Sequence, residues 1–451
     1  MMPRLRFQLT SLVLCTTVCA AFLPPLSLKS AVSPRDHEAC LRRCASTPLS
    51  SLAMSSITDG AWNRGLVFQP DTRPCEDGDS PPFDSISVGM PRVHRYLHDE
   101  GTRWVMWYHG RDDSFDEEGV LNIGTGRIGQ AISNNGIHWT RSDGGQMTGG
   151  SVLDINVEQW WGFDTSHVGL GDVSLSSSDK LQTEGGVLFM YYFGGNYEET
   201  DVTAEFGFPE VRFFAPAATK GVRMKIGVAV SQDGLNWSRL EGEHADGSCI
   251  DVGPPGNWDS LFVGWPTVLN TGKEFRLYYH ALDPNTRKTT IGMATSQDGL
   301  LWVKQGAQFS GGPIGAFDER GAGRRSIITV EGVYHMFYEG VNAAGVHAIG
   351  LATSDDGIHW RRATSAPGAA AAPAGVPVLE RGPPGSWDAR GVSSPHVVEM
   401  GGGEFWMFYV GLSDGSSGDG AAARPRNGIG VAVARDGDLT RWERLRTPAA
   451  L

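Results

Sequence analysis

Ile226-Gly227-Val228-Ala229-Val230-Ser231-Gln232-Asp233-Gly234-Leu235-Asn236-Trp237 is an alternating apolar run that reaches an Asp-Gly pair and ends on tryptophan. Alternation sends one row of side chains toward a neighbouring sheet. Asp-Gly tolerates the positive φ that the tight primed turns of β-hairpins require. The stretch therefore reads as a hairpin strand, its turn and the start of a returning strand. It recurs at 128–139, 291–302 and 349–360, and at 429–442 with two extra residues before the tryptophan. Five copies make the chain a repeat protein.

Two further repeats lie upstream of each copy. One is an aromatic residue followed by aspartate: Phe83-Asp84, Phe163-Asp164, Trp258-Asp259, Phe317-Asp318 and Trp387-Asp388. Nine residues after each aspartate stands a β-branched residue (Val93, Val173, Val268, Ile327, Val397). The other is an aromatic strand: Met106-Trp107-Tyr108-His109-Gly110, Tyr191-Tyr192-Phe193-Gly194, Leu277-Tyr278-Tyr279-His280-Ala281, Met336-Phe337-Tyr338-Glu339-Gly340 and Met407-Phe408-Tyr409-Val410-Gly411. Each unit thus supplies an inner, an aromatic, a hairpin and an outer strand. Five four-stranded antiparallel units predict an all-β, five-bladed β-propeller over residues 59–451, since radial closure hides the sheet edges an open array would expose. The segment Trp62–Pro70 resembles an outer strand and is expected to close the array beside the fifth blade.

The 451 residues carry 60 glycines and a net charge of −13. With no Lys/Arg-rich block, a nucleic-acid partner is excluded on charge. Arg4 and Arg6 precede an apolar run, Phe7 to Cys19, and small residues at Cys19-Ala20-Ala21, so residues 1–21 read as a signal peptide, too short and polar for a membrane span. Residues 22–58 begin with Phe22 and are Ser-rich with several basic residues. Two readings of them stand: a plastid-targeting extension of the kind found in algae with complex plastids, or a linker in a secreted protein. Of six cysteines only Cys75 and Cys249 fall in the folded region, so no disulfide framework is expected. The sequon Asn236-Trp237-Ser238 lies inside the hairpin motif.

Phe/Trp-Asp, Gly-x-x-Pro-x-Val, Met-Trp-Tyr-x-Gly and Ala-x-Ser-x-Asp-Gly-x-x-Trp together resemble the five-bladed glycoside hydrolase superfamily of arabinanases, β-xylosidases, invertases, levansucrases and mannoside phosphorylases. The resemblance spans about residues 60–445. It implies an axial funnel in which carboxylates from several blades act on a carbohydrate. No cofactor is expected, no metal because no short ligand spacing is present, and no membrane partner because no other stretch has the length of a membrane helix. Glycosidic hydrolysis needs one carboxylic acid to protonate the leaving oxygen and a second carboxylate as base or nucleophile. In arabinanases and invertases the first-blade aspartate immediately precedes the inner-strand proline. Here the matching residues are Met90, Leu170, Trp265, Arg324 and Ser394, none acidic.

Residues present in every blade suit architecture, and those that break the repeat suit function. The aspartates Asp84, Asp164, Asp259, Asp318 and Asp388 have two readings: caps of turn amides, or ligand contacts at the funnel mouth, with Asp84 as a third catalytic carboxylate. The repeat-breaking columns are Arg92/Asp172/Thr267/Ser326/His396 and His109/Phe193/His280/Glu339/Val410. Blade four adds Arg324 and Arg325. Asp172 and Glu339 are the expected acid/base pair. His109, His280, Arg92, Arg324 and His396 are expected to bind substrate, and Trp265 to offer a face on which a sugar stacks. The long segments Gly110–Arg127 and Gly194–Lys225, the latter carrying Phe206, Phe208, Phe213 and Phe214, are expected on the same face. A glycosidase is the leading reading, a sugar-binding propeller without catalysis the alternative. A WD-type scaffold lacks the required His and Trp-Asp placement. Oligomeric state is left open.

Overall fold

The computed structural model describes residues 64–73, 82–99, 101–112, 125–144, 148–175, 186–201, 218–363, 375–413 and 427–446. The leader, Cys75 and the four phenylalanines between 206 and 214 lie outside the described residues. Those described form an all-β chain whose one helical piece is a 3-10 turn, Thr148–Gly150. None of their helices is long and apolar enough to cross a membrane.

Each sequence repeat folds into one unit of antiparallel strands. The inner strands are Ser87–His98, His167–Leu175, Gly264–Asn270, Gly321–Val330 and Gly391–Gly401. They pair with the aromatic strands Gly101–Arg111, Leu188–Gly195, Phe275–Leu282, Val333–Val341 and Glu404–Leu412. The hairpin strands Arg127–Ser133, Lys225–Ser231, Thr289–Ser296, His347–Ser354 and Asn427–Ala434 follow, each carrying an outer strand, which is shorter in every unit but the third. One parallel pair, Thr289 with Gly321, joins the third and fourth units into one sheet. Leu66–Phe68 pairs with Ile429 and Gly430 of the fifth unit, where the outer-strand resemblance predicts it.

The turn after the hairpin strand is held by side chains. In the second unit Ser231 Oγ accepts the amides of Asp233 and Gly234, and Asp233 Oδ1 accepts those of Leu235 and Asn236. The first, third and fourth units repeat this pattern. In these four turns the glycine alone takes a positive φ, from 72° to 77°. A primed hairpin turn needs two such residues. The sequence expectation is corrected on this point: the Ser and Asp side chains cap the amides that a primed turn would have exposed.

A buried polar clamp holds each unit together. The five repeat aspartates accept a hydrogen bond at 2.9–3.1 Å from the tyrosine of the aromatic strand: Tyr108, Tyr192, Tyr279, Tyr338 and Tyr409. A cation two residues beyond the motif tryptophan completes each clamp at 2.7–2.8 Å: Arg141, Arg239, Lys304, Arg362 and Arg444. With these oxygens Asp84, Asp164, Asp259, Asp318 and Asp388 bind within their own units rather than capping turn amides, and Asp259 also lines a cleft of about 620 Å³. They tie inner, aromatic and outer strands of one unit together. The glycine ending the aromatic motif makes room: a Cβ on Gly110, Gly194, Gly340 or Gly411 would stand 2.6–2.7 Å from the Cβ of the clamp aspartate. Only the third unit has alanine there, and only it uses lysine.

Neighbouring units meet through the motif tryptophan. Trp107, Tyr191 and Tyr278 pack edge-on against Trp237, Trp302 and Trp360 of the next unit, and donate to the turn carbonyls of Gly234, Gly299 and Gly357. Phe337 packs on Trp442, and Phe408 of the fifth unit packs on Trp139 of the first. The inner strands are joined likewise. Arg92 Nε donates to Gly171 O at 2.6 Å, Val268 N to Asp172 Oδ2 at 2.8 Å, and Thr267 Oγ1 to Arg325 O at 3.2 Å. Val397 N donates to Ser326 Oγ at 3.1 Å, and His396 Nε2 to Val93 O at 3.0 Å. The fifth unit is thereby bonded back to the first.

Breaking a buried pair by removing one partner leaves an uncompensated charge, at a cost of about 3–5 kcal/mol. Arg239→Met is expected to lower unfolding stability by that amount, and Tyr192→Phe by about 1.5–3 kcal/mol, the worth of a hydrogen bond to a charged group. Urea titration should show a lower midpoint at constant m-value. Stability of Arg239→Met within 1 kcal/mol of wild type would remove the clamp from its proposed role.

Candidate functional site

One face of the molecule gathers the residues at which the units differ. All five inner strands shift register here, between Gly89/Arg92, Leu170/Asp172, Gly264/Thr267, Ala322/Arg325 and Ser393/His396. Met90, Trp265 and Ser394, each directly before proline, take φ of 49°, 51° and 50°. A bulky residue in the left-handed region is strained, and such strain concentrates where a site is built.

The fourth unit supplies the centre. Arg324 Nη1 donates to both oxygens of Glu339, at 3.2 and 2.9 Å, and His347 Nδ1 donates to Oε1 at 2.6 Å. Glu339 is buried. Burial alone would raise its proton affinity, but Arg324 and His347 outweigh that and hold its pKa down to about 2. Glu339 is thus an ionised carboxylate at any ordinary pH. His347, opening the hairpin strand, was not singled out by the repeats. Its Nε2 is buried and bonds to none of the described residues.

The third unit supplies the wall. The rings of Trp265 and His280 stack 4.6 Å apart at 6°, and the Arg324 guanidinium lies 5.0 Å from the Trp265 ring centre. Phe193 of the second unit closes on Trp265 at 4.5 Å. With its ring so covered and 3% exposed, Trp265 offers no open stacking face to a sugar. It holds His280 and Arg324 instead, a correction to the sequence expectation. His109 reaches toward the same group from the first unit, half-buried, its ring 6.5 Å from that of Phe193. Burial, reinforced by Arg111, His167, Arg324 and Arg127, keeps His109 neutral.

Asp172 is not Glu339's partner in any hydrogen bond or ion pair of the described residues. Its Oδ1 accepts the amide of Val173 at 3.0 Å and lies 3.3 Å from Arg92 Nε, while Oδ2 accepts Val268 N. Burial raises its pKa despite Arg92 and these amides, a property suited to a general acid. Geometry decides against that role, because both oxygens are committed to the join between units. Arg92 is 1% exposed and bonds Gly171 O, Pro91 O and Arg325 O. Arg92 and His396, expected to bind substrate, likewise serve the join, and Asp84 serves its clamp. Of the expected site residues the structure brings together Glu339, Arg324, His280, Trp265 and His109.

Among the described residues no cluster of three or more His, Cys, Asp or Glu side chains is placed to hold a metal ion. Two clefts of about 620 and 340 Å³ lie elsewhere, lined in part by His244, Trp258 and Lys304, and by Tyr96, Arg103 and Gln232. Neither is lined by Glu339.

No family model matches the chain. An uncharacterized protein of Mycobacterium tuberculosis, MT1551, is 25% identical over 296 residues, covering 63% of this chain and 79% of that protein. A glycosyl hydrolase from Bacteroides ovatus superposes with a TM-score of 0.54 at 16% identity, covering 85% of this chain and 95% of the other. An N-acetylgalactosamine deacetylase from F. plautii gives 0.51 at 16% identity, over 87% and 100%. A structure from the GH130 family of mannoside phosphorylases, described as containing glycoside hydrolases that target β-1,2 mannosidic linkages in Candida mannan, gives 0.51 at 14%, over 88% and 99%. At these identities the likeness establishes the fold: an all-β chain of the propeller type found in glycosidases.

Glu339 has a folded pKa near 2 against an ordinary value of 4.5. A depressed carboxylate stabilises the fold above its unfolded pKa, and that contribution is lost as pH falls through the folded value. Glu339→Gln is therefore expected to cost on the order of 3 kcal/mol between pH 7 and 5, given about 1.4 kcal/mol per pKa unit. The gap to wild type should narrow steadily as pH falls from 4.5 toward 2 in denaturant titrations. A gap that stays constant over that range would show Glu339 is not held ionised by its partners.

Proposed function

We propose that this chain is a carbohydrate-active enzyme, built as a five-bladed propeller of four-stranded blades and acting as a glycosidase at the Glu339 group. The blade count draws support from the five clamps and from the joins that run from each unit to the next and from the fifth back to the first. One observation carries the chemistry. Glu339 is a buried, ionised carboxylate whose orientation is set by Arg324 and His347, beside a wall formed by Trp265 and His280.

An oxocarbenium-like transition state gains from a fixed negative charge, and more so where water is excluded. Glu339 can supply that charge or form a covalent intermediate. It cannot supply the proton, because its own is lost near pH 2. We assign proton delivery to the leaving oxygen to His347. Glu339 accepts from its Nδ1, so the acid is the imidazolium form, in which Nε2 carries the second proton, the one given to the leaving oxygen, and the neutral ring keeps its Nδ1–H. A carboxylate fixing a histidine tautomer so that the far nitrogen moves protons is a recurrent arrangement in hydrolytic sites. A sugar-binding protein without turnover is the second reading, favoured by the commitment of Asp172 to the backbone.

The test is a screen of the purified chain against aryl-glycosides and oligosaccharides, alongside Glu339→Gln, His347→Gln and Asp172→Asn. Turnover that falls at least a thousandfold in the first two, while Asp172→Asn loses mainly thermal stability, supports the assignment. Turnover retained in Glu339→Gln would sink it. Binding of a glycoside without turnover would favour the second reading.

A further inference from the structure

Arg325 is fully buried and no carboxylate is among its hydrogen-bond partners. Its Nε donates to Gly323 O at 3.0 Å, Nη1 to Tyr278 O at 2.5 Å, and Nη2 meets His280 Nδ1 at 2.7 Å. A buried guanidinium held only by neutral acceptors is costly. Stability does not account for its retention, since hydrophobic replacements of buried ions are often neutral or stabilising. The bond to His280 shows what the arginine does. Guanidinium has donors and no acceptor, so His280 Nδ1 must accept, and the ring proton sits on Nε2. No hydrogen bond to His280 Nε2 is made among the described residues.

The space beside His280 is defined by a missing side chain. A Cβ placed on Gly323 would stand 3.7 Å from Glu339 Oε2 and 3.9 Å from His280 Cε1, ordinary contacts with both. Gly323 does not adopt a positive φ, so alanine fits its backbone. The space thus has an acceptor, Glu339, on one side and, on the other, the Cε1 edge of the His280 ring, the carbon next to Nε2. A hydroxyl group, which donates and accepts at once, matches that pair. Imidazole in free tautomeric exchange, or protonated, would not present the same pattern. The charged groups near His280 are Arg325 and Arg324 on the inner strand of the fourth unit and Glu339 on its aromatic strand. Trp265 and Phe262, packed against its ring, do not titrate. Burial first, then Arg325 and Arg324, keeps His280 neutral.

We propose that Arg325 is a positioning residue that locks His280 as an Nε2–H donor toward the space over Gly323, where it binds a substrate hydroxyl that in turn donates to Glu339. The hydroxyl rests on the glycosidase or sugar-binding reading above; the tautomer lock does not. Imidazole ¹⁵N NMR of the full chain, with His280→Asn to assign the signal, reads the lock directly. His280 should hold a protonated Nε2 and an unprotonated Nδ1 from pH 8 to pH 5. In Arg325→Met, checked for native circular dichroism, the ring should stay neutral, because its burial remains, but share its proton between Nδ1 and Nε2. A wild-type His280 that titrates near the ordinary histidine value of about 6.5, or carries its proton on Nδ1, overturns the proposal.

Binding of the glycoside found in the screen reads the site. Gly323→Ala and Arg325→Met should each weaken it about tenfold at pH 7, the worth of one hydrogen bond. Unchanged affinity in Gly323→Ala, in a chain that melts like wild type, overturns the placement of the hydroxyl. A chain that binds no glycoside counts against the reading of function, and the tautomer then decides the positioning role alone.

Discussion

The rest of the structure depends on a carboxylate kept out of water. In each unit an aspartate, 0–3% exposed, accepts from a tyrosine of the same unit and from a cation on its outer strand. Such a clamp adds little net stability, because desolvating two charges offsets most of their attraction. What it adds is register. Inner, aromatic and outer strands slide freely past one another so long as only apolar side chains meet. A buried ion with two specified partners permits one alignment, since any slip would strand a charge. The arginine's second donation, to Gln69, Asp154, Ser310 and Glu380 carbonyls in four units, extends the same constraint to the incoming chain.

With register set inside each unit, the inner strands can be joined across units by residues that are not repeated at all. Arg92, Asp172, Thr267, Ser326 and His396 occupy one column with five different side chains. Each solves the same problem, bonding a backbone group of a neighbour, in a different way. Variety in this column is therefore architectural, and the rule that repeat-breaking residues mark function fails there. It holds one step outward, where the column His109/Phe193/His280/Glu339/Val410 faces the site. The difference is one of depth: the inner column points into the packed centre, where every polar atom needs a protein partner.

The electrostatics of the site follow from the same packing. Arg324 and His347 turn Glu339 into a permanent anion, and Arg325 turns His280 into a fixed donor. Neither effect is a property of the side chain alone. The column in which the resembled enzymes carry their first-blade aspartate holds no carboxylate. There Trp265 and Arg324 stand instead, packed on each other.

The tandem motifs by themselves determined the unit, its strand order and the pairing of Leu66–Phe68 with the last unit, because alternation, turn residues and aromatic spacing are local properties of the chain. The five tyrosines and the basic residue two positions past each tryptophan were equally visible, and mark the clamp for a reader who asks what a buried aspartate must be paired with. Tertiary structure alone decided which partners each carboxylate receives. Asp172 and Glu339 look alike in sequence, both single acidic residues in variable columns. Their fates separate only when the strand register brings two backbone amides and Arg92 to one, and Arg324 and His347 to the other. Charge state and partner belong to the neighbours that folding supplies, and most of those neighbours come from another strand or another unit.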